Sequence, residues 1–536
     1  MKIGIFHGYK LTGTGSNEYT RYLARALSYG GHQVHIMCRE PLPESISFID
    51  KAIHWDREGR PQTLFERKID KAGTCILHQL PHASINPVYL NDKPRKGNVK
   101  TFIALTDTEL NDYHELVVGS LIAVLKVNPV DLLHANHLVY QPVAAAEACR
   151  VTGTPLVIVP HGSSIEYTIR KDKRYRNLAL DAILASKGLI IGNQEVRDRI
   201  LGFFPQHRRE ILAKTEIVGV GVDTSLFLPV DRWHRWDSIE NIFKFGPFRG
   251  KSPELTRQLY RCLDSGDIAA TTGYRKAYKN DCPDSDLIEH LKRIPWDGKI
   301  ILFVGTLTVG KGLQSLLVAM PFILTNHPDA HLVIVGSGTY REILEGLVYA
   351  MSSGIGALLD ELIEKGNELD QNKLTGLWKD VNKFLSDPQN KRKLLSFGQS
   401  LAEHIHFLGH LNHALLRHLF PCADLAIFPS VIPEAYPLVL MESLSNGVLP
   451  LVSYFSGFAD SLDSLIPYLG QKLVDRMKIP MDDSIRIPGM IRNISDLIAD
   501  ESIQTIGPVL RKIAVENFDW NVRAKQMVAA YSKIIS

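Results

Sequence analysis

Cysteine is scarce and scattered: Cys38, Cys75, Cys149, Cys262, Cys282 and Cys422 are the six in 536 residues, and no two form a C-x-x-C pair. That spacing excludes a disulfide framework and fits a reducing compartment. Long apolar runs are absent too. Nowhere do about 18–20 apolar residues follow one another, so no spanning helix is predicted. The opening "MKIGIFHGYK" soon meets Gly8 and Lys10, too short a run for a secretory leader. A cytoplasmic chain is expected. Charge of one sign is also missing, since 61 Lys and Arg stand against 58 Asp and Glu, a net +3. No electrostatic footprint for nucleic acid follows from that balance. No solenoid repeat or low-complexity tract is visible.

What is present is a rhythm. Short apolar runs ending in Gly, Asn, Ser or His alternate with helical patterns. In the first half they are "KIGIF" (2–6), "DLLHAN" (131–136), "PLVIVPHG" (155–162), "GLIIGN" (188–193) and "EIVGVGVD" (216–223). In the second they are "KIILFVGTL" (299–307), "HLVIVGSG" (331–338), "IHFLGH" (405–410), "DLAIFPS" (424–430) and "LPLVSYFSG" (449–457). Continuous rather than alternating apolar residues predict strands covered on both faces, as in parallel sheets. The fold class is α/β, with two doubly wound, Rossmann-like domains facing a cleft.

The rhythm stops near Pro229 and resumes near Lys299. The expected domains are therefore 1–228 and 298–517, joined by an aromatic, basic insertion at 229–297. A charged helical insertion is expected at 340–403 within the second domain. Residues 518–536 predict an amphipathic helix with Asp519 as N-cap.

Ligands of open parallel sheets bind beyond the carboxyl ends of the strands, so the residues there are the candidates. "FPSVIPEAYPLVLMESLSNG" (428–447) holds two acids, Glu434 and Glu442, eight positions apart in an apolar neighbourhood. Pro437 suits the first turn of a helix, whose entrance offers free N–H groups to a phosphate or sugar oxygen. A carboxylate can grip a vicinal diol, and another beside a sugar carbon can stabilise developing positive charge. Ordinary surface acids or ion pairs are the plainer alternative.

"VGTLTVGKG" (304–312) sets Lys311 between glycines after a strand, fit to close on a diphosphate or simply to make a turn. Gly13 and Gly15 stand between the first strand and first helix, where backbone can approach a phosphate. His161 ends an apolar strand, as a sugar ligand or a structural histidine. The histidines of "HIHFLGHLNHALLRH" (404–418) do not converge as a zinc set would, and "HANH" (134–137) lacks a third ligand; no metal site is predicted. The basic runs "RKDKRYR" (170–176) and "QHRREILAK" (206–214) are solvated faces by default, and leave room for peripheral contact with the inner face of a membrane.

Taken in order, "GTGSNEYTRYLARALSYGGHQV", "PHGSSIEYT", "VGVGVDTSLFLP", "ILFVGTLTVGKG", "FLGHLNHALL", "CADLAIFPSVIPEAYPLVLMESLSNG" and "FDWNVRAKQMVAAY" resemble a family-4 glycosyltransferase of the GT-B fold. The resemblance implies a retaining, metal-independent enzyme moving a hexosyl or N-acetylhexosaminyl unit from a nucleoside-diphosphate sugar, with UDP the family's weak default. The acceptor is a hydroxyl of a small molecule, glycan or lipid head group. No cofactor is implied beyond the donor.

By the same resemblance, Glu442 matches the acid on the ribose, and Glu434 the acid at the sugar's reacting face. Lys311 and Gly15 match the diphosphate contacts, His161 the histidine at the sugar's 6-hydroxyl, and the Leu411 backbone the nucleobase contact. Two departures stand out. Thr306 occupies the place of a family arginine, for which Arg341 is a candidate substitute. Pro437 replaces a common glycine and donates no N–H, so sugar contacts fall to the amides of Tyr436 or Leu438. The rival expectation is a weakened, nucleotide-binding regulatory or scaffold protein on the same fold.

Overall fold

In a computed structural model of the chain, residues 1–13, 15–90, 97–366, 369, 376–435 and 437–536 are described. The first sheet contains β1 (Lys2–Phe6), β2 (Gln33–Cys38), β3 (Lys51–Trp55), β4 (Pro61–Glu66) and β5 (Thr74–Gln79). A separate small pair, β6 (Asn86–Val88) and β7 (Val99–Thr101), follows. The first sheet is then completed by β8 (Leu132–Asn136), β9 (Leu156–Val159), β10 (Gly188–Ile191) and β11 (Thr215–Ile217). Its order is β11-β10-β9-β8-β1-β2-β5-β3-β4, parallel except for the β3–β4 hairpin at one edge.

The second sheet holds β12 (Lys299–Val304), β13 (Ala330–Val335), β14 (Ile405–Phe407), β15 (Leu425–Phe428), β16 (Leu449–Ser453) and β17 (Lys478–Ile479). Its order, β14-β13-β12-β15-β16-β17, is parallel throughout. Both sheets are clothed by helices. Ile300, Ile301, Leu302 and Phe303 of β12 are all buried, as expected of a strand covered on both faces. Each such side chain contributes about 1.5–3 kcal/mol by leaving water.

The strands β2 to β5 are not marked by apolar runs. "QVHIMC" carries a histidine yet is core, because His35 Nδ1 and the His78 Nε2 of the neighbouring strand pair at 2.9 Å. Two buried imidazoles that satisfy each other behave as core while reading as polar. The "EIVGVGVD" run departs in the other direction. Its strand ends at Ile217, and the remainder leaves the sheet to bridge Val222 with Asp519. At Gly221 a Cβ would lie 2.6 Å from the Trp520 ring, so the backbone there lies against the carboxyl-terminal helix.

That helix, Trp520–Ile535, starts at Asp519, whose side chain accepts from the Asn521 N–H at 2.8 Å. It returns to the first sheet, where the Tyr531 hydroxyl bonds His134 Nδ1 at 2.6 Å and Trp520 meets the edge of Tyr19. The segment between the sheets is helical over Arg235–Phe243, Pro253–Asp264 and Leu287–Arg293. It is fastened to the second layer by Arg235 on Asp424 (2.8 Å) and Asp284 on Arg341 (2.7 Å). Among the described residues no helix is long and apolar enough to cross a membrane.

Candidate functional site

The carboxyl ends of both sheets meet at a cleft of about 360 Å³. Gly15, Asn17, Tyr19, His137, His161 and Glu166 line it from the first sheet's side. Thr306, Thr308, Lys311, Ile432, Glu434 and Ala435 line it from the second. The two sides also touch outside it: the Asn193 side-chain amide donates to the Ala435 carbonyl at 2.7 Å, and the Tyr22 hydroxyl bonds His413 Nδ1 at 3.0 Å.

Lys311 is placed by the turn that follows β12. Val309–Lys311 form one tight turn, and Gly312 then takes a left-handed φ of 71°. A Cβ at Gly312 would stand 1.8 Å from the Pro429 carbonyl oxygen, so only glycine fits. The turn sends the ammonium of Lys311 onto the carboxylate of Glu434, an ion pair between two partly exposed side chains. The Ser430 hydroxyl also donates to Glu434, at 3.1 Å. Five of the nine sequence candidates therefore share one cleft: Gly15, His161, Thr306, Lys311 and Glu434.

Three others, Leu411, Leu438 and Glu442, sit apart from its lining. Leu438 opens the helix Leu438–Ser445, with Pro437 as its N-cap rather than inside its first turn. The Pro437 φ of −81° and ψ of 71° are not helical, so the helix starts one residue later. Leu438 Cδ1 lies 3.9 Å from where a Gly15 Cβ would be, so the two sides approach closely here. Glu442 lies one turn further along, about 6 Å at 1.5 Å per residue. It is buried and meets His413 Nε2 at 3.4 Å, not Lys311. Burial raises the pKa of its carboxyl; nearby His413 opposes the shift and Glu18 adds to it. Leu411 is buried two residues before His413. Tyr436 lies outside the described residues.

Arg341 does not stand in for an arginine at Thr306. It is buried, gives two hydrogen bonds to Asp284 and one to Glu345 (2.8 Å), and does not line the cleft. Its position just after the Gly-rich end of β13 suggested reach, but it serves Asp284 from the segment between the sheets and Glu345 from its own helix. The crowded histidines of 404–418 have structural partners. His406 sits between His290 and His331, 3.1 Å from each, and His404 bonds the Ala330 carbonyl.

Sequence reasoning passed over the network behind His161. His161 Nε2 donates to Asn136 Oδ1 at 2.7 Å, which His134 Nε2 also approaches at 3.2 Å. His7 Nε2 donates to Asn17 Oδ1 at 2.9 Å. Burial drives these imidazoles neutral: His7 and His134 fall to about 4, and His161 falls well below its ordinary value. The signal is the "HANH" string, whose spacing reads first as an incomplete metal ligand set. Its outer pair and its Asn instead line up along one strand end.

A larger cavity, about 550 Å³, lies beside the carboxyl-terminal helix among Asn193, Val218, Met441, Asp460 and Arg523. Its polar groups serve each other or the backbone: Arg523 donates to the Val220 carbonyl and Asp460 accepts from the Glu195 N–H. The smaller cleft is the one with convergent reactive groups.

Residues 286–354 and 370–465 match the family described as "Glycosyl transferases group 1". An uncharacterized glycosyltransferase of Methanocaldococcus jannaschii is 27% identical over 235 residues, 44% of this chain and 45% of that protein. The chain thus spans about half the length of the curated relatives it matches. Sucrose-phosphate synthase from Thermosynechococcus elongatus superposes with a TM-score of 0.55 at 16% identity, covering 99% of this chain and 98% of the other. Anabaena HepE, solved in complex with UDP and glucose, superposes at 0.53 and 13% identity over 99% of both. The chain therefore has the GT-B fold, and its second half carries a glycosyl transferases group 1 match.

Proposed function

We propose that the protein is a retaining, metal-independent glycosyltransferase that moves a hexosyl or N-acetylhexosaminyl unit from a UDP-sugar to an acceptor hydroxyl. One observation carries this: Lys311 and Glu434 of the second sheet's side face Gly15 and His161 of the first across a single cleft. UDP is chosen because the structurally similar HepE was solved with it.

In this assignment the donor diphosphate takes Lys311 from Glu434, and the amino end of the helix Gly15–Tyr29 adds its partial positive charge. Thr306 offers a hydroxyl where the resembling family has a guanidinium, so leaving-group stabilisation rests more heavily on Lys311. The bond from the sugar C1 to the diphosphate oxygen breaks, and its electron pair departs with UDP. Glu434, released from the lysine, faces the positive charge that develops at C1. The acceptor oxygen then bonds C1 on the face UDP leaves, and its proton passes to a diphosphate oxygen. That route keeps the anomeric configuration. His161, neutral and oriented through Asn136, stands at the sugar's 6-hydroxyl side. Glu442 takes the ribose diol, one helical turn beyond Leu438, with the Leu411 backbone beside the base.

The test is to incubate the full chain with UDP-, GDP- and ADP-sugars and a panel of hydroxyl acceptors, with EDTA present. Nucleoside diphosphate release and product anomeric configuration are read together. Turnover with retention, lost in Glu434→Ala and Lys311→Ala, supports the enzyme. Nucleotide binding without turnover supports the scaffold alternative, and an inverted product overturns the front-face route.

A further inference from the structure

His137 is the one residue of the first-sheet wall whose ring nitrogens, both of them, are buried without a hydrogen-bond partner. It lines the cleft and is 1% exposed. Its backbone has a φ of 71°, a left-handed conformation uncommon outside glycine. A buried imidazole with neither nitrogen paired has given up its hydrogen bonds to water without replacing them. Unpaired groups and unusual backbone of this kind concentrate where a ligand completes them.

The surroundings define what could complete it. The ring sits in a box of other rings: His7 stacked at 5.8 Å, Tyr9 edge-on at 5.8 Å, Tyr89 at 4.6 Å and His161 at 4.9 Å. His7 and His161 direct Nε2 inward to Asn17 and Asn136, and the Tyr89 hydroxyl is held by the Val139 carbonyl and Gln141. Among the described residues these ring neighbours carry no ionised side chain, while Lys10, next to Tyr9, also lines the cleft. Glu166, on the cleft's rim, is paired with Arg199 at 2.6 Å and Arg170 at 3.0 Å.

We propose that His137 is an acceptor-binding residue, and that the acceptor is an uncharged polyol or sugar ring seated against Tyr9 and Tyr89 with a hydroxyl bonded to the His137 imidazole. This rests on the glycosyltransferase assignment and names its acceptor class. A neutral imidazole offers one donor and one acceptor, and a hydroxyl can answer either of them. A fully ionised phosphate oxygen only accepts, and so could answer the donor alone. Aromatic faces suit the C–H face of a sugar ring and favour no anion.

The experiment is ligand-observed NMR on the full chain with UDP present. The probes are glucose, galactose, mannose, glycerol and myo-inositol, with glucose 6-phosphate as the anionic comparison. Wild type is expected to show saturation transfer to at least one uncharged probe, and at least tenfold weaker binding of it in His137→Ala. In His137→Asn, which tolerates the left-handed backbone and keeps polar atoms, partial binding is expected. UDP signals should stay within twofold in both variants. Binding of no uncharged probe, unchanged binding in His137→Ala, or a tenfold preference for glucose 6-phosphate would overturn the proposal. Loss of UDP and sugar signals together in His137→Ala would mark the residue as structural and also overturn it. A wild type that shows no UDP signal fails at the donor assignment instead, a result readable apart from the sugar signals.

Discussion

Deep in the first wall of the cleft, histidines, tyrosines and amides are packed together and the imidazoles His7 and His161 are bonded to Asn17 and Asn136, while Lys10 and the arginine-paired Glu166 are its charged members. On the second wall, Lys311 and Glu434 are charged, partly exposed and held chiefly by each other. A neutral wall is expensive in acid, because folding must keep imidazoles from protonating. A charged wall is cheap to hold in water and easy to reassign, because an incoming anion can replace one partner. The contrast fits a division in which one side shapes and orients while the other handles charge.

The largest effect should come from acid on the first wall. His7 and His134 fall from 6.5 to about 4 on folding. The unfolded chain therefore binds more protons between those values, and stability is lost as pH falls from about 6.5 toward 4. Each histidine should cost on the order of 3 kcal/mol across that window. Urea midpoints against pH would show it, and His134→Asn should flatten the slope by about one proton. A slope unchanged in that variant would place the acid sensitivity elsewhere.

On the second wall, removing charge should strike activity and spare stability. Lys311→Ala and Glu434→Ala are each expected to lower kcat by about 10²–10³-fold, the scale of one lost electrostatic contact in a transition state. Their melting temperatures should barely move, since a partly exposed ion pair contributes about 0–1 kcal/mol.

Glu442 is the exception that sharpens the contrast, being an acid of the second side that is buried like the first. Glu442→Gln should weaken UDP binding by about 1.5–3 kcal/mol, the worth of hydrogen bonds to a charged group. Its folded pKa is raised, chiefly by burial, so the folded chain holds more protons and wild-type stability falls as pH rises from the ordinary carboxylate range. The glutamine variant should lack that fall, which calorimetry at several pH values would record. Smallest is the contact between the walls. Tyr22→Phe removes the hydroxyl bonded to His413 and should cost about 0.5–1.5 kcal/mol, visible as a modest fall in melting temperature.

How much of this was legible in the sequence follows the same divide. The second sheet announces itself in runs such as "KIILFV" and "HLVIV", because strands buried on both faces must be apolar throughout. Lys311 and Glu434 were legible because glycines and apolar flanks isolate them. The first wall was harder to read. His35, His78, His134 and His161 are core residues whose polarity is cancelled by partners far away in the chain, and single-sequence patterns do not carry pairing. Arg341 failed in the converse way: it stood near the right strand end, but beside Glu345 of its own helix it serves Asp284, which is recognisable only once the intervening segment is folded onto it.

The most direct measurement is the structure of the protein with a UDP-sugar bound. With the site as assigned, the diphosphate lies within about 3 Å of Lys311 Nζ, a hydrogen-bond distance, and the sugar stands between Glu434 and His161. A nucleotide lodged in the larger cavity by Arg523, or a Lys311 still bound to Glu434 with the diphosphate elsewhere, would contradict it.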